Sequence, residues 1–110
     1  MPHAEIKYSS DLSIDAGKIL RVIEERINLI DPGAGACKGR AYPAEVFHHS
    51  HILIEVSMLT KAHRGGDFTM RVRDDLELAI KQCLRQPCYF SLAINYSDEF
   101  YVTNTFVPEG

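Results

Sequence analysis

Pro2, directly after the initiator Met1, is the residue of this sequence with the clearest chemistry. A small second residue normally lets the initiator methionine be trimmed, so the mature chain is expected to begin with a prolyl secondary amine. An ordinary α-amine titrates at about 8. Burial in an apolar pocket beside cations lowers that value by disfavouring the charged form. A neutral amine is then a general base on a rigid ring, and no other side chain has to activate it. With Met1 retained, the same nitrogen is an amide without basicity.

Other residues compete for attention. His48, His49 and His51 are close enough in sequence to suggest zinc or copper ligands. In a strand His49 and His51 would share one face. No third or fourth ligand lies at a recognisable spacing, so the tract reads as a loop leading into a strand, and no metal is expected. Cys37, Cys83 and Cys88 contain no C-x-x-C pair, and Cys83 and Cys88 read as small buried hydrophobes. Gly33-x-Gly35 lacks the strand before and the helix after that a phosphate loop requires, which leaves a turn.

Composition narrows the classes. At 110 residues the chain is one domain with one modest core. A formal charge of −3 argues against a general nucleic-acid binder. No apolar run approaches a membrane span, and Glu5 and Lys7 interrupt any signal-like start. Three cysteines form no even disulfide framework, so a cytoplasmic setting is expected.

The elements that must carry these residues can be read from periodicity. His3 to Ser9 alternates as a strand. Ser13 stands where a helix N-cap belongs, ahead of Ala16, Ile19, Leu20, Ile23, Ile27 and Ile30 at helical spacing. That helix must end near Asp31, before Pro32-Gly33. Lys38 to Tyr42 predicts a short strand before Pro43, and His51 to Thr60 a central strand with apolar residues on both faces. Lys61 to Asp67 reads as a polar loop. Val72, Leu76, Ala79, Ile80, Cys83 and Leu84 predict a second helix ending before Pro87, headed by Arg71 and Arg73. Cys88 to Tyr96 predicts another strand, and Glu99 to Phe106 a terminal strand or arm. Tyr96, Phe100, Tyr101 and Phe106 read as interface aromatics. The plan is α+β: two β-α-β units giving a four-stranded mixed sheet with two helices on one face, and a C-terminal extension. The other face is expected to expose a contiguous apolar patch that a second copy of the chain would cover.

A chain that opens with Pro2, is built from two β-α-β units and is expected to oligomerise resembles the tautomerase superfamily. Within it, the opening Met1-Pro2-His3 and the helix-loop-strand spacing are most similar to the 5-carboxymethyl-2-hydroxymuconate Δ-isomerases, from Pro2 to about Phe106. The resemblance implies a homotrimer with sheets around a central barrel. It also implies a terminal proline that shuttles a proton within an unsaturated keto or enol carboxylic acid, without metal or cofactor. Such chemistry needs cations that hold the carboxylate and steady the dienolate. Lys38 and Arg40, two apart, share a face if they lie in a strand, and Arg64 lies in the loop after the central strand. By matching, the substrate-holding arginine of the family's second strand falls on Lys38, a second basic residue on Arg40, and the loop arginine on Arg64, with Arg71 or Arg73 as fallback. Lysine at position 38 is a departure, since it lacks arginine's planar two-pronged grip. The alternative function is a non-catalytic trimeric binding protein of the same fold.

Overall fold

The computed structural model describes residues 1–110. Six elements follow in order: β1 (His3–Ser9), α1 (Ala16–Ile30), β2 (Lys38–Ala44), β3 (His51–Met58), α2 (Gly66–Lys81) and β4 (Tyr89–Tyr96). The strands form one mixed sheet in the order β2-β1-β3-β4. β1 and β2 are parallel, as are β3 and β4, and each pair is joined through its helix. The two β-α-β units meet where β1 and β3 run antiparallel, with Ile6 opposite Ile54 and Ala4 opposite Val56. The fold is α+β, as the periodicity predicts.

Alternation and helical spacing place the core between the sheet and the helices. Ala4 and Ile6 of β1, with Ile52, Ile54, Val56 and Met58 of β3, bury their side chains against Ile19, Ile23 and Ile27 of α1 and Val72, Leu76 and Ile80 of α2. Each such side chain removed from water contributes roughly 1.5–3 kcal/mol. A two-pronged ion pair between Arg26 and Asp75, at 2.7 and 2.8 Å, ties α1 to α2. Gly39 lets α1 come close to β2, because a β-carbon there would stand 2.6 Å from Leu20.

Several boundaries differ from the periodicity reading, each for a local reason. Asp15, not Ser13, caps α1: its carboxylate accepts the Lys18 N–H at 3.0 Å, three residues on. The backbone N–H of Ser13 goes instead to the side chain of Gln86. β2 runs through Pro43 to Ala44, which an edge strand tolerates because one side of it needs no donor. β3 stops at Met58, since the hydroxyl of Thr60 bonds the Ser97 carbonyl at 2.6 Å. α2 begins at Gly66, inside the segment read as a loop, so Arg71 and Arg73 sit within the helix instead of heading it. Its last residues tighten into i-to-i+3 bonds at Cys83 and Leu84.

The second sheet face corrects the largest expectation. It is not a contiguous apolar patch. β1 presents His3, Glu5 and Lys7 there, β2 presents Lys38, Arg40 and Tyr42, and β3 presents His51, Leu53, Glu55 and Ser57. Glu5 and Glu55 lie directly opposite one another, a repulsive arrangement. Each has its own cation: Arg40 meets Glu5 at 2.7 Å and Lys7 meets Glu55 at 3.8 Å. Apart from Tyr42 and Tyr89 at its edges, this face is mostly polar, and other apolar groups are exposed on the C-terminal piece. β4 ends its pairing where the Ser97 N–H meets the Met58 carbonyl. The chain beyond forms no strand, so the C-terminal piece is an arm. On it Phe100, Val102 and Phe106 are 84%, 79% and 83% exposed.

Candidate functional site

One end of the sheet gathers the chemistry. β1 and β2 start there, with His3 beside Lys38, while β3 and β4 end there, with Met58 beside Tyr96. The antiparallel register puts Ser57 of β3 opposite His3 of β1. α1 arrives at this end to feed β2, and α2 departs from it after β3. Pro2 stands at the head of β1, fully buried, and its carbonyl accepts the Lys38 N–H at 3.0 Å. Met1 lies over Gly35, whose φ of 77° and bonds to the Asn28 amide shape the loop beneath.

The α-amine of Met1 is pushed below its ordinary value. Burial is the main cause, followed by the charges of Lys38, Lys61 and Arg64, with Cys37 acting in the opposite sense. His3 is likewise held below the usual imidazole range, by burial first and then by Lys38 and Arg40. The Cys37 thiol is pushed up to about 11 by burial and by Glu24, so it stays protonated and is no nucleophile at neutral pH. A cleft of about 150 Å³ opens at the same end, lined by Ser57, Met58, Asn95, Tyr96, Ser97 and Tyr101. Of the four aromatics read as interface residues, Tyr96 and Tyr101 line this cleft, and Phe100 and Phe106 project into solvent. The Tyr96 hydroxyl meets that of Thr69 at 2.6 Å, which ties the cleft to the start of α2.

The predicted cations come together at this end, but in different states. Lys38 and Arg40 share the open sheet face, and Arg40 spends its guanidinium on Glu5, with His3 Nδ1 3.3 Å away. Arg64 is placed otherwise than a substrate-gripping residue. Its side chain is 2% exposed, and each of its nitrogens is held inside the chain. Nε and Nη2 donate to Asp31 Oδ2 at 3.0 and 2.8 Å, and Nη1 donates to the Leu59 carbonyl at 2.8 Å. His63 Nε2 lies 3.1 Å from the same Asp31 oxygen. Burial alone would raise the Asp31 carboxyl, but the bonds from Arg64 and His63 outweigh it and hold the group below the usual carboxylate range.

The sequence reading gives Asp31 and Lys61 no part in the site. Asp31 reads there as a helix stop before Pro32, and nothing local announces a partner 33 residues away. Lys61 reads as one more loop charge. The histidine tract lies at the opposite end of the sheet, where the His48 and His49 rings are 4.1 Å apart and His51 Nδ1 is 2.9 Å from the His49 carbonyl. No three metal-ligating side chains converge in the structure. A cleft of about 340 Å³ there is lined by His49, Ser50, Pro87, Cys88 and Tyr89, with no lysine or arginine to hold an acid. No helix is long and apolar enough to cross a membrane.

The architecture of two β-α-β units meeting in one four-stranded sheet is the tautomerase-superfamily fold. A solved 5-carboxymethyl-2-hydroxymuconate delta-isomerase matches 96% of this chain and 89% of its own length, with a TM-score of 0.70 and 19% identity. A 5-carboxymethyl-2-hydroxymuconate isomerase from Deinococcus radiodurans R1 matches 94% of this chain and 88% of its own, with a TM-score of 0.74 and 16% identity. A fused 4-OT described as a symmetric trimer matches 86% and 85%, with a TM-score of 0.62 and 13% identity. At these identities the likeness is one of fold. No family model matches the sequence, and no curated protein does either.

The buried pair gives a direct test of how this end is held. Asp31→Ala should cost about 3–5 kcal/mol at neutral pH, because it strands a buried guanidinium. The carboxyl's folded-state pKa lies below its unfolded value, so its stabilisation is full above about pH 4 and is lost as pH falls through the folded value. Thermal melts at pH 7 and pH 3 should therefore show a gap between wild type and Asp31→Asn that narrows in acid. An equal gap at both pH values would show that ionised Asp31 contributes nothing.

Proposed function

We propose that this chain is a cofactor-independent tautomerase, an isomerase that moves a proton within an unsaturated keto or enol carboxylic acid. The Pro2 amine, freed by removal of Met1, is its general base and general acid. The observation that carries this reading is the setting of the N-terminal amine, partly buried at the head of a central strand and faced by Lys38, Lys61 and Arg64. Trimming Met1 transfers that amine to Pro2, whose ring is already buried. Both influences disfavour an ammonium there and favour the neutral base that the step needs. The fold shared with two 5-carboxymethyl-2-hydroxymuconate isomerases supports the substrate class.

The step balances without a redox partner. The neutral amine takes a proton from the enol oxygen or from a carbon beside the carbonyl, and the electron pair spreads into the dienolate. The prolinium then returns a proton to another carbon of the same conjugated system. One O–H or C–H bond breaks and one C–H bond forms. Lys38 and Arg40 hold the carboxylate and steady the dienolate. Magnitudes separate Arg40 from Arg64. The Arg40–Glu5 pair is solvent-exposed and weak, so a substrate carboxylate can compete for it. Breaking the buried Asp31–Arg64 pair would cost about 3–5 kcal/mol. Arg64 therefore stays in place, shaping the site and lending charge.

The same reading makes the protein a homotrimer. The arm beyond Ser97, with Phe100, Val102 and Phe106 in solvent, is its contact element, and the symmetric trimer of the fused 4-OT supports this assembly. Sedimentation of the full chain should give a single trimeric species, and a stable monomer at micromolar concentration would contradict it. Catalysis is tested by comparing protein with Met1 removed against protein in which methionine aminopeptidase has been blocked, each form verified by intact mass. The processed form should turn over small enol acids, and the Met1-retained form should be nearly inactive while equally folded. Equal turnover would exclude Pro2 as the base. Inactivity of both forms would favour a non-catalytic binding protein of this fold.

A further inference from the structure

The buried position of Arg64 leaves the question of what else receives the substrate's charge, and the backbone around Arg64 supplies a candidate. The Arg64 N–H closes on the Lys61 carbonyl at 3.0 Å, so residues 61–64 form one tight turn. The side chain of Arg64 pins the far end of that turn to Asp31 and to the Leu59 carbonyl. The near end is pinned by Thr60, whose backbone N–H and hydroxyl bond Ser97 at 3.3 and 2.6 Å. Lys61 is thus an exposed lysine on an immobilised stretch of backbone.

The register brings that backbone toward Pro2. His3 lies opposite Ser57, so Met1 and Pro2 run beside the residues that follow Ser57. Lys38 approaches from the other side, paired with His3 across β1 and β2. Neither lysine has a carboxylate within ion-pairing distance, unlike Arg26, Arg40, Arg64, Arg73 and Lys81. Two unpaired ammonium groups, one on β2 and one in the turn that follows β3, therefore flank the N-terminus in a chain whose overall charge is negative.

We propose that Lys61 is a substrate-binding residue that forms, with Lys38 across Pro2, a two-lysine site for the substrate's carboxylate. The inference rests on the reading of Pro2 as the base. Two ammonium groups act as separate point charges and lack the planar fork of arginine. They hold a carboxylate by charge and position instead of by its plane. The site suits a short unsaturated acid whose carboxylate lies next to the reacting carbons.

Covalent labelling of Pro2 tests the proposal without a known substrate. Full-length protein with Met1 removed is treated with 3-bromopropiolate, an anion, and separately with its neutral methyl ester, and the Pro2 peptide is followed by mass spectrometry. Wild type should react faster with the anion. In Lys61→Met the anion-to-ester rate ratio should fall about tenfold, as expected for loss of a charge-assisted contact, and Lys61→Arg should keep most of it. Using the ratio cancels any change in the basicity of the amine, which affects both reagents alike. Lys61 is exposed, so folding is not at stake. A ratio unchanged in Lys61→Met overturns the role of Lys61 while Pro2 still reacts. Failure of wild-type Pro2 to react with either reagent overturns the Pro2 reading itself, and this inference with it.

Discussion

The pairing of Asp31 with Arg64 fixes where the surrounding backbone can lie at the end of the sheet that holds Pro2. Asp31 ends α1 and Arg64 precedes α2, so one buried contact joins the exit of the first β-α-β unit's helix to the entry of the second's. The third arm of the guanidinium, on the Leu59 carbonyl, fastens both to the end of β3. β3 is the antiparallel neighbour of β1, and Pro2 stands at the head of β1. A buried ion pair is often no better for stability than a well-packed apolar substitute. Its value here is in position, because it sets a turn, a strand end and a charge around the N-terminus at once.

The open sheet face follows a different logic from the core. Alternation on β1 and β3 sends Ala4, Ile6, Ile52, Ile54, Val56 and Met58 toward the helices, so the residues between them must face the other way. Those residues are charged or polar in β1 and mostly so in β3, and the two glutamates that confront one another are each neutralised by a neighbouring strand. A face of this kind is compatible with water. The apolar surface that calls for a partner sits instead on the C-terminal arm, where extended backbone carries three large hydrophobic groups clear of the domain.

What the sequence made legible was whatever depends on periodicity and stop signals. His3–Ser9 alternates in the sequence and is a strand over those same residues; Ile19, Ile23 and Ile27 of α1 recur every fourth position and are buried. The cap at Asp15 was harder to see, since Ser13 and Asp15 both suit the position and only geometry decides between them. The apolar-patch expectation failed because it rested on the helices covering only one sheet face, while alternation and register set His3, Glu5, Lys7, Lys38, Arg40 and Glu55 on the other. At the candidate site, the proposal of Pro2 comes from its type and place alone. The state of Arg64 was not legible, because a buried cation is defined by a partner distant in sequence. Lys61 was invisible for the same reason: its position depends on a turn held by that partner.

Chemistry and architecture meet in one quantity, the proton affinity of the N-terminal amine. Burial and the charges of Lys38, Lys61 and Arg64 act in the same direction on the Met1 amine; under the proposed function they act on the Pro2 amine that trimming of Met1 exposes, and a neutral amine is what the proposed proton transfer requires. The most direct measurement is an NMR titration of protein with Met1 removed and ¹⁵N-labelled proline, following the Pro2 amine itself. The account predicts a pKa clearly below that of an ordinary α-amine, about 8, and a rise toward the ordinary range in a Lys38→Met, Lys61→Met double variant. A Pro2 amine that titrates at or above the ordinary value, unaffected by loss of both lysines, would contradict it.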